Sequence, residues 1–428
     1  MLGVRTVGHA TLLAYDGTPC LVTDPWTGGR GAFFGSWQLS HEIPADALED
    51  MRACPFVWIS HAHPDHLHDE TLETLRAARL LVPDHVGGRM AAGLRARGFR
   101  VHVLPDRRWL ALTDRIRVCC LADPMQNAVL LLDVNGRLFV DMNDASDRGW
   151  GADVRALVRT YPRSYLLKLA PTGHLGVLNV ADDGGAPLAR DVAAPARAGA
   201  ELARHADALG VTHVIPFSSF HQMQRTDSAW ANALTVAPDG FGDGFASATG
   251  ATLLPAFATV DCEHDGVRAD VPAPLRVPLL EPGAFGDAWH EPLERDERGL
   301  LEQYFRAHDG LRARVGFVAT EVGGVTHRID LAPERATGIT LAAPRHSLVT
   351  AVRTARLDEL LLSHFTRVTL HGLASVVPAL VPTVSRWGDF AGVRRDEDVA
   401  AYLEAYRTRA AAALLAVTAT PPRLAAAG

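Results

Sequence analysis

A segment with four histidines and one aspartate restricts the fold and chemistry of this chain more than any other feature. The stretch "VWISHAHPDHLHDETLETL" places these side chains within eight residues of one another, at His61, His63, Asp65, His66 and His68. The apolar residues before the cluster predict a buried strand, and the acidic residues after it predict the start of a helix. The cluster therefore belongs to a strand-to-helix junction, where backbone groups and ions can meet.

The spacing of the cluster predicts a metal site. Histidine is the commonest metal ligand, and His61 and His63 alternate, so they project to the same side of a strand end. Pro64 stops the strand, and the turn after it presents Asp65 and His66 towards the same cavity. Two isolated histidines would more often be polar surface residues, but the complete H-x-H-x-D-H pattern after a buried strand favours metal ligation.

Composition indicates a soluble globular protein and argues against nucleic acid as a partner. With 428 residues the chain is longer than one ordinary core needs, so we expect two domains. Hydrophobic residues make up 48% and charged residues 21%, which is typical of a folded soluble chain. The 49 acidic residues outnumber the 42 basic ones, whereas a surface that binds nucleic acid must be basic.

The location predicted from the sequence is the cytoplasm. The five cysteines are scattered without a CxxC pair, which indicates free thiols in a reducing compartment. The first residues lack the basic start and the apolar core of a signal peptide. No run approaches the roughly 18 apolar residues of a membrane span, so no membrane association is expected.

The pattern of residues 1–235 predicts short strands separated by turns, with helices between them. The stretch "NAVLLLDVNGRLFVDM" carries Asn135-Gly136 between two apolar runs and predicts a β-hairpin. Hairpins combined with covering helices predict two sheets enclosed by helices, an αββα layering. From residue 238 a stretch rich in Gly, Ala and Ser predicts a junction, followed by a second α+β domain without a chemical motif. Its helix "DELLLSHF" is expected to be core packing.

The segment "HAHPDH" resembles the signature of the metallo-β-lactamase superfamily, whose members hold two metal ions between two β-sheets. The resemblance extends upstream to "VGHATLLAYDGTPCLVTDPW", where Asp24 matches an aspartate that ends an early strand below the metals. The predicted fold class is therefore α/β, a metallo-β-lactamase-type αββα sandwich with a C-terminal α+β domain. We assign residues 1–237 to a catalytic domain and residues 238–428 to an accessory domain of unknown role.

The resemblance implies further ligands near the hairpin, where superfamily members have a histidine before it and a bridging aspartate at its end. Asp144 fits the bridging position because it follows the strand, and Asp141 inside the strand is the substitute. Asp123 stands where the histidine is expected. It is either a carboxylate ligand or only a turn residue before Pro124. As a ligand it would make the donor set richer in oxygen, which favours iron or manganese.

The last ligand implied by the resemblance is a histidine at the end of the strand "VTHVIPF". His221 lies in the loop after this strand, whereas His213 lies within it and is expected to be structural. His174 follows another strand and is a substrate-side catalytic candidate beside Asp65, although a plain loop residue is the simpler interpretation. His68 falls beyond the motif and is expected to face outward or to contact the ligands indirectly. The predicted metal ligands are His61, His63, Asp65, His66, Asp123, Asp144 and His221.

Within the superfamily, residues 1–235 resemble the catalytic domain of CMP-N-acetylneuraminate hydroxylases. The resemblance rests on "WISHAHPDHLHDETL", on "MNDAS" after the hairpin and on "VIPFSSFHQ" with the following "QRTDSAWAN". That family is regarded as iron-dependent and oxidative and carries a Rieske iron–sulfur domain. A Rieske domain needs two Cys-x-His or Cys-x-x-His pairs, and this sequence does not contain two. Electrons would therefore come from a separate reductase or from the substrate.

The sequence leaves two enzymatic functions open. The first is an oxygenase or hydroxylase with two metal ions, iron favoured over zinc or manganese, acting on a small molecule or a carrier-bound metabolite with an external electron donor. The alternative is a metal-dependent hydrolase of an ester, amide or phosphodiester bond, in which Asp65 orients a metal-bound water. A non-catalytic binding protein is least favoured. Trp37 is expected to contact substrate. A separate reductase is one partner that the sequence allows, and a second copy of the chain in a homodimer is another.

Overall fold

Two large β-sheets lie face to face in the computed structural model, which describes residues 1–170, 179–188, 195–411 and 421–425. Apolar side chains of both sheets share a core that includes Trp58, Leu130 and Phe139. Helices cover the outer face of each sheet, so that the layers run helix, sheet, sheet, helix. This layering confirms the predicted αββα sandwich.

The first sheet contains eight strands in the described part of the chain. Five neighbouring antiparallel strands are followed by parallel pairing towards one edge. The strands in spatial order are β18 (Gly266–Ala269), β17 (Ala258–Asp261), β1 (Leu2–Thr6), β2 (Leu12–Asp16), β3 (Thr18–Thr23), β5 (Phe56–Trp58), β6 (Arg79–Pro83) and β7 (Arg100–Leu104). The parallel strands β3 and β5 end at the same edge, which becomes the functional edge of the sheet.

The second sheet contains seven strands among the described residues. Their spatial order is β16 (Thr252–Leu253), β14 (His213–Phe217), β12 (Ser164–Leu169), β11 (Arg137–Asn143), β10 (Ala128–Val134), β9 (Ile116–Ala122) and β8 (Trp109–Ala111). The predicted hairpin is present: Val134 pairs with Arg137, and Asn135 and Gly136 both have positive φ, as a tight two-residue turn requires. Strands β11, β12 and β14 are parallel, so their carboxyl ends also share one edge.

Helices on the outer faces use their apolar sides to cover the sheets. The first sheet is covered by α1 (Ala45–Ala53), α2 (Asp69–Thr74) and α3 (Arg89–Ala96), and the second by α4 (Gly151–Val158) and α5 (Ala198–Leu209). Each of these helices lies between strands in the chain, as the sequence pattern predicted. No helix in the described ranges combines the length and the apolar character needed to cross a bilayer.

The two large sheets extend past the boundary predicted at residue 237. Strand β16 pairs with β14, and β17 pairs with β1, so chain segments from both sides of that position build the sandwich. Conversely, β13 (Val180–Ala181) precedes residue 237 but pairs with β22 (Arg367–His371) in a separate sheet. The remaining strands of that sheet are β21 (Gly338–Ala342), β19 (Phe317–Val322) and β20 (Val325–Asp330). The division into two domains stays a prediction, but residue 237 does not separate the sheets.

The accessory region, defined here as residues 282–411, packs against loops of the sandwich. Its core contains Val318 and Leu348 together with Trp26, Phe33 and Trp37 from the other part of the chain. Its helices are α6 (Arg295–Arg306), α7 (Asp309–Arg312), α8 (Arg345–Thr354), α9 (Leu357–Leu362), α10 (Val377–Leu380) and α11 (Asp396–Ala410), and a π-helix spans Val381–Ala391. A small two-stranded sheet of β4 (Trp37–Leu39) and β15 (His221–Met223) lies beside this contact.

Helix α11 is attached to the sandwich by a buried histidine, which predicts a pH dependence of stability. Tyr406 contacts Nδ1 of His85 through its hydroxyl at 3.1 Å. Burial, with the nearby charge of Arg409, lowers the pKa of His85 to about 3. The unfolded chain binds this proton below pH ~6.5, so the free energy of unfolding falls as the pH drops from 6.5 towards 4.

We expect His85→Gln to make this fall shallower by about 1.4 kcal/mol per pH unit, because one titrating group is removed. Urea unfolding of wild type and variant at several pH values between 4 and 6.5 measures the difference. An identical slope in both proteins would show that His85 is not protonated preferentially in the unfolded chain.

Candidate metal centre

The predicted ligands lie where strand ends of both sheets meet. The motif begins three residues after β5 ends, Asp144 follows β11 directly, and His221 comes shortly after β14. His61, His63 and His66 are all buried. Two groups of three side chains could each hold a metal ion: His61, His63 and Asp144, and His9, Asp65 and His66.

A buried aspartate, Asp24, holds the elements around this site together. Its carboxylate accepts hydrogen bonds from the backbone N–H and the hydroxyl of Ser60, both at 2.7 Å. It also accepts from Nδ1 of His66 at 3.0 Å and from the side-chain amide of Asn143 at 2.5 Å. The resemblance had suggested a supporting position for Asp24, and these contacts link the ends of β3, β5 and β11 through one carboxylate.

The hydrogen bonds fix which nitrogen of His61 and of His63 carries a lone pair. The Ser60 hydroxyl gives its single proton to Asp24, so its oxygen accepts from Nδ1 of His61 at 2.9 Å. Asp358 accepts from Nε2 of His63 at 3.1 Å. A neutral imidazole has one N–H, so the lone pairs lie on His61 Nε2 and His63 Nδ1.

These two nitrogens, His61 Nε2 and His63 Nδ1, face each other at 2.9 Å. Two lone pairs at that distance repel each other unless both bind the same cation, which a third ligand also holds. Burial, together with the neighbouring His66 and His63 rings, holds the pKa of His61 well below its usual value, so a proton is a poor substitute for that cation. The pair therefore has the arrangement of two ligands of one metal ion.

Asp144 lies between the two groups, as a bridging ligand must. One of its oxygens is 3.6 Å from Nε2 of His61, and the other is 3.7 Å from Nε2 of His66. Burial opposes protonation of His66, but the carboxylates of Asp65, Asp144 and Asp24 outweigh it and hold the pKa of His66 well above its usual value. The same negative charges attract a metal ion, which competes with the proton for Nε2.

His9 was not predicted from the sequence to be part of the site. Its hydrogen bonds show that it supports Asp65. Its Nδ1 accepts from the backbone N–H of Phe220 at 3.1 Å, so the proton is on Nε2. That nitrogen lies 3.0 Å from Asp65 and donates to it. His9 therefore orients Asp65 instead of offering a lone pair to an ion. Its position in "VGHATLL", inside the segment that carries the resemblance, was the available signal.

His221 lies beside His9, with ring centroids 5.5 Å apart, and Trp37 holds its ring. His221 is buried, and neither ring nitrogen has a hydrogen-bond partner among the described residues. The ring of Trp37 stacks on it, with centroids 3.6 Å apart. The Trp37 indole donates to the carbonyl of Leu362 at 3.0 Å. Trp37 is thus a buried packing residue, which corrects the expectation that it contacts substrate.

The two carboxylate oxygens of Asp123 fit different predicted alternatives, one the turn residue and the other the ligand. One oxygen accepts from the backbone N–H groups of Met125 and Asn127 at 2.7 and 3.2 Å, as a turn aspartate does. The other oxygen is buried and has no partner in the described chain. Burial raises the pKa of Asp123 to about 6. Asp123 belongs to neither group of three, and its ligation stays a prediction.

Asp141, His68 and His213 belong to neither group of three. Asp141, the substitute for Asp144, is buried within β11, and burial with the nearby Asp24 charge holds its pKa well above the usual value. His68 caps α2 by accepting from the Thr71 backbone. His213 stacks on Tyr165, as expected of a structural residue. His174 lies outside the described residues.

The polar atoms left without partners fit a pair of metal ions. Several buried atoms near the site have no hydrogen-bond partner among described residues: Asp65 Oδ1, His66 Nε2, Asp144 Oδ1, His221 Nδ1 and His221 Nε2. Leaving buried polar atoms unsatisfied costs about 1–3 kcal/mol each, so a ligand common to them is favoured. Imidazole nitrogens with carboxylate oxygens form a donor set suited to iron or zinc.

The accessory region contributes directly to this site, which corrects the expectation that "DELLLSHF" is only core packing. Asp358 in α9 is buried, and it is the hydrogen-bond partner of His63 described above. The ring of Phe390 lies 5.6 Å from that of His63. Ligating histidines usually bind a carboxylate through their other nitrogen, which fixes the ring and its tautomer. Asp358 holds this position for His63.

Comparison with curated proteins shows similarity to one group of enzymes over a third of the chain. A cytidine monophosphate-N-acetylneuraminic acid hydroxylase from Asterias rubens is 30% identical over 152 residues, which are 33% of this chain and 23% of that protein. The same-named protein from Danio rerio is 30% identical over 149 residues, 33% of this chain and 25% of that protein. The matched segment thus spans about a quarter of either relative. No family model matches the chain.

Solved structures give weaker likenesses. CmlA, a diiron β-hydroxylase from Streptomyces venezuelae, has 18% sequence identity and a TM-score of 0.39, covering 60% of this chain and 53% of its own. An isothiocyanate hydrolase from Delia radicum gut bacteria has 16% identity and a TM-score of 0.37, covering 60% and 98%. Both TM-scores are below 0.5, and no conclusion is drawn from these two likenesses.

We expect Asp144→Asn to reduce bound metal to at most about one ion per chain, because the amide cannot bridge two cations as a carboxylate does. Elemental analysis of the purified variant measures this, and circular dichroism checks that it is folded. His213→Ala, which alters a histidine outside both groups, serves as the control and should keep its full metal content. Unchanged metal in Asp144→Asn would remove Asp144 from the site.

We expect Asp358→Asn to weaken metal affinity by about 10- to 100-fold, because the carboxylate that fixes the tautomer of His63 is lost. Competition with a chromophoric chelator measures the affinity. Glu359→Gln is the matched control: Glu359 is the neighbouring buried acid, and burial raises its pKa to about 8, so it is already neutral at pH 7. Equal affinities in the two variants would contradict a specific effect of Asp358 on His63.

Proposed function

We propose that this protein is a dinuclear metal-dependent oxygenase, with iron as the metal, that hydroxylates a small molecule or a carrier-bound metabolite. The observation that supports it most directly is the opposed lone-pair geometry of His61 and His63, with Asp144 reaching towards both groups of ligands. The similarity to hydroxylases over a third of the chain favours oxidative chemistry over other uses of such a site.

The proposed ligand set uses the atoms that the hydrogen bonds leave available. One ion would be held by His61, His63 and Asp144, and the other by Asp65, His66, His221 and the same Asp144. Asp123 would add an oxygen ligand if its free carboxylate oxygen turns towards the first ion. Two irons in this site would supply the activation of dioxygen for insertion into a substrate bond.

The chain's own residues organise the site in three ways. His9 donates a hydrogen bond to Asp65 and so holds it in its ionised, ligand-ready state; burial opposes ionisation, but His66 and His9 keep the pKa of Asp65 well below its usual value. Trp37 fixes the His221 ring by stacking. The accessory region covers the ligands with Phe390 and Asp358 and excludes bulk water from His63. Asp65 is the catalytic residue proposed within the motif.

Electrons for dioxygen activation would come from a separate reductase or from the substrate. All five cysteines are buried free thiols, and burial raises the pKa of Cys20 and Cys262 to about 12. Protonated, buried thiols are poor ligands for an iron–sulfur cluster. A reductase partner, a homodimer and a cytoplasmic location remain predictions.

Metal-dependent hydrolysis is the second candidate function. If Asp123 does not ligate, four histidines and two aspartates remain, and such a set also suits zinc. In that case Asp65 would orient the attacking water, which a bound metal makes acidic enough to ionise near neutral pH.

Metal analysis under anaerobic purification decides between the two functions. The oxygenase predicts about two irons per chain and oxygen consumption when the protein is reduced chemically. Asp144→Asn serves as the control that should consume no oxygen. Tightly bound zinc, with no response to oxygen after reconstitution with iron, would refute the oxygenase and leave hydrolysis.

A further inference from the structure

Arg386 is a buried cation that shares its carboxylate partner, Asp358, with His63. It lies in the π-helix Val381–Ala391, and only 9% of the residue is exposed. Its Nη1 has no hydrogen-bond partner within the described ranges of the chain. The ion pair of its Nε with Asp358 is long, at 3.7 Å, and Asp358 is already bound to His63. π-Helical turns are rare and often occur at functional sites.

The guanidinium of Arg386 faces the candidate metal centre. Its Nε lies 3.7 Å from Asp358, the partner of His63, and its charge also acts on His61 and Asp123. Phe390 lies on another side, with its ring centroid 5.3 Å from the guanidinium carbon. Asp358 is shared and Asp123 is held in its turn, so neither of these carboxylates is dedicated to Arg386.

A cavity of about 210 Å³ is lined by Phe390 on one side, although Arg386 and His63 are not among its lining residues. Its lining carries three arginines and one aspartate as its charged groups: Arg89, Arg97, Arg356 and Asp389. Arg97 and Arg356 have acidic neighbours, whereas Arg89 has no ion pair among the described residues. A concave surface with an excess of positive charge concentrates anions.

Burying a guanidinium costs on the order of several kcal/mol unless anions neutralise it, and the long ion pair with a shared Asp358 leaves Nη1 without a partner among the described residues. Its planar set of donors matches the two oxygens of a carboxylate or phosphate, which lysine does not reproduce. The guanidinium would also lie beside two metal ions. An anion bound between them would reduce the repulsion between these positive charges as well as the cost of burying the guanidinium. The arrangement therefore lacks one negatively charged group.

We propose that Arg386 binds an anionic group of the substrate, a carboxylate or a phosphate, beside Asp358 and His63. The inference rests on the metal centre proposed above and adds the substrate's charge and the residue that recognises it. Arg386 lies about 320 residues from the motif in the sequence, within the accessory region. That region would thus select the substrate as well as cover the ligands.

Calorimetric titration of the metal-loaded protein with inorganic phosphate and with acetate tests the proposal. Wild type should bind at least one of the two, and the preferred one identifies the substrate's anionic group. Arg386→Gln should weaken that binding at least tenfold, because the charged fork is lost, and Arg386→Lys should restore it only partly. Binding of both anions by Arg386→Gln as tightly as by wild type would overturn the proposal, as would no binding of either anion to wild type.

Arg107→Gln is the matched control, because Arg107 has the same 9% exposure but donates to Asp153 at 2.7 Å. It should bind phosphate and acetate as wild type does and should melt at a lower temperature. Arg386→Gln should melt at or above the wild-type temperature in buffer without either anion, since a buried charge that only shares the carboxylate of Asp358 with His63 has been removed. A lower melting temperature for Arg386→Gln would mean that Arg386 is already paired and would overturn the proposal. Oxygen consumption tests the oxygenase separately, so the two proposals can fail independently.

Discussion

The carboxylate of Asp24 is the contact on which the arrangement of the site depends. It is fully buried, its backbone has a positive φ of 37°, and it accepts hydrogen bonds from Ser60, His66 and Asn143. A non-glycine residue in that conformation is strained, and the hydrogen bonds compensate for the strain. Through Ser60 and His66 this one carboxylate determines which nitrogens of the motif remain available to a metal.

The site is completed by parts of the chain that are remote in sequence. His9 in the turn between β1 and β2 orients Asp65, and Asp358 in α9 orients His63, so each half of the motif has its own support. Trp37 stacks on His221 while its indole binds the accessory region at Leu362. The accessory region is therefore part of the metal centre's surroundings and not an independent appendage.

Features built by residues close together in the sequence could be predicted, whereas contacts between residues far apart in the sequence could not. The motif was readable because His61, His63, Asp65 and His66 are adjacent, and the hairpin because two turn residues define it. Asp358 and Arg386 carry no local signal, since their meaning comes from a tertiary contact about 300 residues away from the motif. The sequence did not show that β16 and β17, beyond residue 237, join the two large sheets, because both strands are short and have no strong pattern of their own.

The most direct test of the account is anomalous diffraction from crystals of the protein loaded with iron(II) under anaerobic conditions. The account predicts two anomalous peaks, one within about 2.0–2.2 Å of His61 Nε2 and His63 Nδ1, and one at similar distances from His66 Nε2 and His221. Asp144 should bridge them. A single peak elsewhere, or a metal bound through His9 Nε2 in place of His61 and His63, would contradict the hydrogen-bond argument for the ligand atoms.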